Sequence, residues 1–232
     1  SPVSGLPSPF SLPRNISPDQ PSHPHMPSRI VLALLTCLCL FPSPACAGLA
    51  PAPEQTQPLA VGARVPSVLV QSVAGDERDL AALVAEKPTL LIFYRGSWCP
   101  YCNRHLAALA EIEAQLLELG WQIVAVSPDD LAGLQTAIGK NHLSYRLFSD
   151  RAMRATPAFG LAFRMDPVTV EKYRAHRINL APVPGEDGAY WLPVPAAYLI
   201  GRDGVIRYAH TDPDYKARLA PDALLAAAKA AR

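Results

Sequence analysis

The stretch PTLLIFYRGSWCPYCNRHLAALAEI, residues 88–112, decides how this chain is read. Its first part, PTLLIFYRG (88–96), is a continuous apolar run bounded by Pro and Gly, the pattern of a strand buried on both faces. The run passes through Gly96 into two cysteines three positions apart, Cys99 and Cys102. Beyond them Leu106, Leu109, Ile112, Leu116 and Leu119 recur at three- and four-residue steps, which predicts a helix from about Cys99 to Gly120. Downstream, WQIVAVSPDD (121–130) predicts a second buried strand and DLAGLQTAIGKNH (130–142) a second helix. Strand, helix, strand, helix with short connections is the signature of an α/β domain with parallel neighbouring strands.

The remaining segments fit around that unit. PSVLVQSVAG (66–75) reads as a short strand ending in a turn, DLAALVAE (79–86) as one or two helical turns, and YRLFSD (145–150) as a short strand. RATPAFGLAF (154–163) reads as a broken helix, and residues 164–193, with prolines at 167, 182, 184 and 193, as an insertion covering one side of the domain. AAYLIGRDGVIRYAH (196–210) carries a hairpin signal at GRDG, and PDALLAAAKAAR (221–232) is a terminal helix with Pro in its first turn. The Pro/Ala-rich segment at 48–58 reads as a flexible tether before a domain at 59–232.

Composition narrows the function classes. The 232 residues are half apolar and carry a net charge of +1, enough to bury the core of about one domain and no support for nucleic-acid binding. Residues 1–25 hold seven of the 25 prolines and no hydrophobic period, so they read as a disordered leader or as sequence upstream of a start at Met26. Residues 26–47 have the three-part layout of a secretory signal peptide: Arg29, the apolar run Ile30–Phe41, and small residues at Ala45 and Ala47. The run is too short for a bilayer span of roughly 20 residues. The expectation is an exported protein, periplasmic or secreted, with no stable membrane span. Lipid anchoring at Cys46 is disfavoured by Ser43, where bacterial lipoprotein signals usually carry Leu. Removal of the signal would take Cys37, Cys39 and Cys46 with it and leave Cys99 and Cys102.

The chemistry of that pair follows from its place. A cysteine at the first turn of a helix faces outward-pointing N–H groups and the positive end of the helix dipole, which favours the thiolate. Cys102 lies one turn on and on the same face, where it can attack a mixed disulfide at Cys99. A disulfide closing so short a loop removes little chain entropy, so stapling explains the pair poorly. Arg95, Arg104 and His105 bring positive charge nearby, and Pro100 and Tyr101 between the sulfurs set the redox poise. Trp98 is expected either to cover the sulfurs or to fill the core. Helix geometry favours Cys99 as the more exposed sulfur. Metal binding is the reading from another class: two cysteines plus His105, His142, His176 or His210 could hold Cu(I) or Zn, although no ligand spacing singles one out.

PTLLIFYRGSWCPYC with its helix, IVAVSPDD, VPAAYLIGRDGVIRYAH and DPDY together resemble the peroxiredoxin-like (alkyl hydroperoxide reductase/thiol-specific antioxidant) branch of the thioredoxin superfamily, over about residues 59–230. The resemblance implies a thioredoxin-like fold, a central mixed sheet flanked by helices, and an oxidoreductase that needs no bound cofactor. Its implied partners are protein thiols or disulfides and an external dithiol reductant, with hydroperoxides as a further substrate class. It also implies that Pro195 is the cis proline facing the cysteines and that Val194 offers its backbone to a bound partner. The peroxidase pattern Pro-x-x-x-Thr-x-x-Cys would set Cys102 at the attacking position, Cys99 in place of threonine and Arg95 in place of proline, with Pro195 where an arginine is expected. Under disulfide exchange Cys99 attacks and Cys102 resolves; under peroxide reduction the roles reverse. A dedicated peroxidase and an exported copper chaperone are the alternative readings. TDPDYKAR (211–218) reads as a capped turn and is assigned no chemistry.

Overall fold

Every residue of β3 (Thr89–Phe93) is buried in the computed structural model, which describes residues 49–183 and 185–231. The leader, the signal peptide at 26–47 and its three cysteines lie outside the described residues. Along β3 the side chains alternate: Leu90 and Ile92 enter one apolar cluster, Leu91 and Phe93 a second on the opposite face. A strand covered on both sides has no polar face to offer, which is why its sequence is an unbroken apolar run.

β3 pairs in parallel with β4 (Gln122–Ser127), which pairs in parallel with β5 (Arg146–Ser149). β1 (Leu69–Ser72) and β2 (Glu77–Asp79) extend that side antiparallel, and β8 (Ala196–Ile200) and β9 (Ile206–Thr211) extend the other. The result is a seven-stranded mixed sheet in the order β2-β1-β5-β4-β3-β8-β9. On one face α2 (Pro100–Glu118) buries Leu106, Leu109, Ile112 and Leu116 together with Leu134 of α3 (Leu131–Asn141) and Leu224 of α6 (Pro221–Ala230). On the other, α1 (Leu80–Glu86) buries Leu80, Leu83 and Val84. Each such leucine contributes about 1.5–3 kcal/mol. The Asp79 and Asp130 side chains cap α1 and α3 by accepting from Ala82 N–H and Gly133 N–H, both at 2.8 Å. Among the described residues no helix is long and apolar enough to cross a membrane.

Two segments carry more structure than their sequences suggest. Residues 49–59 do not form a free tether: Ala50 pairs with Phe163, and the Gln57 and Leu59 amides donate to the Gly160 and Phe159 carbonyls at 3.1 and 3.0 Å. Gly160 has φ +68, and a Cβ there would lie 1.9 Å from the Gln57 carbonyl oxygen, so only glycine admits this approach. Backbone pairing leaves no side-chain period, and a Pro/Ala-rich sequence therefore hides it. After the short helix α4 (Ala155–Ala158), residues 160–193 form a small layer in which β6 (Ala162–Arg164) pairs antiparallel with β7 (Trp191–Pro193), linked through α5 (Pro167–Ala175). Met165, Val170, Leu180 and Leu192 form its apolar cluster, and Trp98 packs against it. The expected insertion is thus joined to the cysteine loop.

Candidate active site

The loop between β3 and α2 is built by local rules and then clamped from outside. Gly96 has φ +146, and a Cβ there would lie 2.4 Å from Trp98 Nε1 and 3.0 Å from Asp129 Oδ1. Cys99 donates its amide to the Gly96 carbonyl at 3.1 Å and, in extended conformation, takes the N-cap position of α2; its carbonyl accepts from Asn103 N–H at 3.0 Å. Pro100 occupies the first helical position, where a missing N–H costs nothing. From the end of β4, Asp129 accepts from the Ser97 amide at 2.8 Å and from the Ser97 and Ser127 hydroxyls at 3.2 and 3.0 Å. Asn103 donates to the Ser97 carbonyl at 2.7 Å. Burial holds the Asp129 carboxyl above the ordinary carboxylate range against these donors.

Both sulfurs are reduced and buried, Cys99 at 1% exposure and Cys102 at 0%. Cys99, expected as the more exposed of the two sulfurs, is itself buried: the cysteines sit within the apolar cluster on the α2 face, and Trp98 and Tyr101 pack against it. Their acidities nevertheless separate. The Cys102 thiol, acting as hydrogen-bond donor, pulls Cys99 down to about 6, with Arg95 and Arg218 acting in the same direction against burial. Burial, and then the Cys99 sulfur, push Cys102 well above the thiol range. The helix terminus therefore favours the thiolate at Cys99 and the thiol at Cys102.

Arg95 is 5% exposed and its guanidinium lies among three rings: 4.0 Å from the centroid of Tyr215, 5.2 Å from Trp98 and 5.8 Å from Tyr173. It donates to Tyr173 Oη at 2.6 Å. The rings come from the cysteine loop, from α5 and from residues 212–219 after β9, so Arg95 ties three distant segments together. Trp98 meets Tyr173 edge-on at 5.2 Å, and Tyr101 meets Tyr215 edge-on at 5.7 Å. Arg104 lies over the Tyr101 ring at 4.8 Å on the exposed side of α2. His105 is held down to about 4 by burial, then by Arg218 and His210, so it brings no charge near neutrality.

The Val194 expectation is corrected in part. Its amide donates to the Leu161 carbonyl at 2.9 Å, so this N–H is committed within the fold. Pro195 lines a small cavity with Phe93, His105, His210 and Arg218. Arg218 Nη2 reaches Cys102 Sγ at 3.6 Å. Sequence reading missed four residues of this site: Asp129, Tyr173, Tyr215 and Arg218. The SPDD turn after a buried strand was a signal for the first, and the pairing of aromatics with cations in TDPDYKAR was one for the last two. Tyr173 carried none, because its approach depends on the path of α5. Among the described residues no three His, Cys, Asp or Glu side chains are gathered as a ligand set for a metal.

Comparison with known proteins places this geometry in context. Residues 61–209 match the AhpC/TSA family. A curated relative, the "Probable thiol:disulfide interchange protein DsbE-2" of Pasteurella multocida (strain Pm70), is 25% identical over 184 residues, 79% of this chain and 78% of that protein. Among solved structures, peroxidoxin BcpB of Mycobacterium tuberculosis superposes with TM-score 0.57 at 18% identity, covering 75% of this chain and 99% of its own. Reduced Prx3 of Vibrio vulnificus superposes with TM-score 0.59 at 18% identity, covering 74% and 99%. At these identities the structural matches speak for the fold alone, and that fold is thioredoxin-like.

Proposed function

Because the chain belongs to the AhpC/TSA family and is a thiol-dependent oxidoreductase, we propose that it carries out thiol–disulfide exchange with Cys99 as the attacking sulfur and Cys102 as the resolving one. The observation that carries this reading is the placement of Cys99 at the N-cap of α2 with Cys102 one turn inward. The Cys99 thiolate attacks a substrate disulfide, forming a mixed disulfide and releasing one thiolate. Cys102 then attacks Cys99 Sγ, closes the internal disulfide and releases the second thiol. Two electrons pass from the pair to the substrate, and an external dithiol restores them. The lowered pKa of Cys99 supplies thiolate at neutral pH, while the raised pKa of Cys102 keeps it from competing for the first attack.

The name of the Pasteurella relative supports interchange as the activity, and protein thiols or disulfides are the proposed partners. The layout of residues 26–47 supports export to the periplasm or beyond the cell. The second reading, peroxide reduction beginning at Cys102, draws support from the Arg218 contact with that sulfur. Against it stand the full burial of Cys102 and the scarcity of its thiolate.

Mixing the reduced protein with an aromatic disulfide tests the assignment. Cys99→Ser is expected to lose the reaction by at least about a thousandfold, as for removal of a nucleophile. Cys102→Ser is expected to accumulate a stable mixed disulfide visible by mass spectrometry. A mixed disulfide trapped on Cys102 in the Cys99→Ser protein would reverse the assignment. Hydrogen peroxide consumption followed by stopped flow separates the second reading: a rate no better than that of a free low-pKa thiol excludes a dedicated peroxidase.

A further inference from the structure

The segment after β9 makes two separate contacts with the cysteine region. Tyr215 stacks on Arg95, and three residues on, Arg218 turns its Nη2 to Cys102 Sγ. The acids of the same segment are used locally: Asp212 accepts from the Asp214 amide at 2.8 Å and Asp214 from the Lys216 amide at 2.9 Å. Among the described residues no carboxylate pairs with Arg218, whose Nη1 donates to the Ala217 carbonyl at 2.6 Å. A half-buried guanidinium whose charge is not answered by a carboxylate is thus held on the sulfur that helix geometry leaves deepest.

We propose that Arg218 activates the resolving sulfur, stabilising the Cys102 thiolate at the moment it attacks the mixed disulfide on Cys99. The proposal rests on the order of attack given above. In the step it assists, the Cys102 S–H proton passes to the departing thiolate, the bond between Cys102 and Cys99 forms, and the bond from Cys99 to the substrate sulfur breaks. The substrate leaves as a thiol, and no further oxidant or reductant is consumed. The need is specific to this step. Cys99 has the Cys102 thiol, the helix terminus, Arg95 and, as the last of these, Arg218 itself to favour its charge, whereas Cys102 is desolvated inside the helix with the Cys99 sulfur beside it and has Arg218 as its one direct side-chain contact with a cation among the described residues. Once Cys99 is bonded to the substrate its negative charge is gone, and the arginine is left facing Cys102 as the thiolate forms. The groups around Cys102 are Cys99 and the Arg95 amide from the loop, Tyr94 from the end of β3, Arg218 from the C-terminal segment, and His105 and His210 across the small cavity. His105 is held neutral there, and the side-chain contact of a cation with the sulfur is that of Arg218.

Stopped-flow mixing of the full protein with dithiobisnitrobenzoate reads both steps, since the first nitrothiolate leaves on attack and the second on resolution. Arg218→Met is expected to slow the second release about threefold to tenfold and the first by less than twofold. An attacking thiol raised by one unit loses tenfold in thiolate and regains about threefold in nucleophilicity, and lost positioning adds to the remainder. Arg218→Lys, which keeps the charge, is expected to keep most of the second rate, and Arg218→Gln to follow Arg218→Met. A readout that a merely structural role would not move is the pH of half-maximal alkylation of Cys102 in the Cys99→Ser background. It should rise by about one unit with Arg218→Met and little with Arg218→Lys. Equal slowing of both releases with an unmoved alkylation midpoint, or no slowing at all, overturns the role of Arg218. Loss of the first release in Cys102→Ser rather than in Cys99→Ser overturns instead the order of attack on which the proposal stands.

Discussion

Two segments meet at the cysteines and differ in how they come to be there. Residues 94–103 are placed by rules that act within a few positions: a buried strand runs out, Gly96 makes the turn, Cys99 caps the helix and Pro100 starts it. Residues 211–219 arrive from the far end of the chain and are fixed by what they touch, a ring on Arg95 and a guanidinium on Cys102. The first segment decides which sulfur carries the charge. The second, with α5, surrounds Arg95 beside that sulfur and brings an arginine to the other. Substitutions in the two segments should therefore divide, those in the loop costing stability and those in the covering segments altering acidity and access.

The largest effect is expected at Gly96. Gly96→Val combines a backbone conformation that L-residues rarely adopt with a Cβ 2.4 Å from Trp98 Nε1, for a loss of about 3 kcal/mol. Urea unfolding measures it, and a loss below about 1 kcal/mol would mean that the turn is not built as described. Next is the clamp. Asp129→Ala leaves the part-buried Ser97 amide and two serine hydroxyls without their acceptor, a cost of about 2–3 kcal/mol. Its pH dependence has a definite sign. The folded Asp129 is raised above its ordinary value of 3.8, so its stabilising contribution is complete below that value and is lost as pH rises through the folded pKa. In Asp129→Asn that part of the slope should disappear from a pH series of unfolding midpoints.

The same division explains what could be read from the sequence. β3, α2, β4 and α3 were legible because burial imposes a period, and Cys99 and Cys102 because the helix start fixes their positions. The aromatic box around Arg95 was not legible. Arg95 reads as an ordinary basic residue at a strand end, and only the path of α5 brings Tyr173 within 2.6 Å of it, 78 positions away. The capped-turn reading of TDPDYKAR was right for its acids and silent on Tyr215 and Arg218, whose partners lie in another part of the chain. Burial of Cys99 was missed for the same reason. Position within a helix predicts the direction of a side chain, whereas exposure depends on what else packs there.

Arg95 joins the two segments, and its removal should show both kinds of effect at reduced size. Arg95→Met is expected to cost about 1–2 kcal/mol through the lost bond to Tyr173 and the lost stacking. It should also raise the alkylation midpoint of Cys99 from about 6, since the arginine lowers it. In the unaltered protein that midpoint places the Cys99 rate on a plateau above about pH 7, where a free thiol with pKa of about 8.5 is still rising. A steady rise through pH 8 in the unaltered protein would show that the terminus does not hold a thiolate.

The smallest effect on stability is expected at Tyr215, and it is the sharpest test of the comparison. The Tyr215 side chain is part-exposed, and its ring meets the Arg95 guanidinium, the edge of Tyr101 and, at 5.9 Å, the Lys216 ammonium. Tyr215→Ala should therefore cost only about 1 kcal/mol. If the C-terminal segment governs access, that small loss is accompanied by a larger change in how Cys99 reacts with reagents of different size. Iodoacetamide, which is small, should gain little, whereas a bulky maleimide should gain several-fold. Arg95→Met combined with Tyr215→Ala then measures the link between the segments, because the rings and the cation act as one unit. The paired loss should fall short of the sum by about 0.5–1 kcal/mol. Equal acceleration of both reagents would mean that Tyr215 acts on the acidity of Cys99 through Arg95, and strict additivity would mean that the two segments meet at the sulfurs without acting on each other.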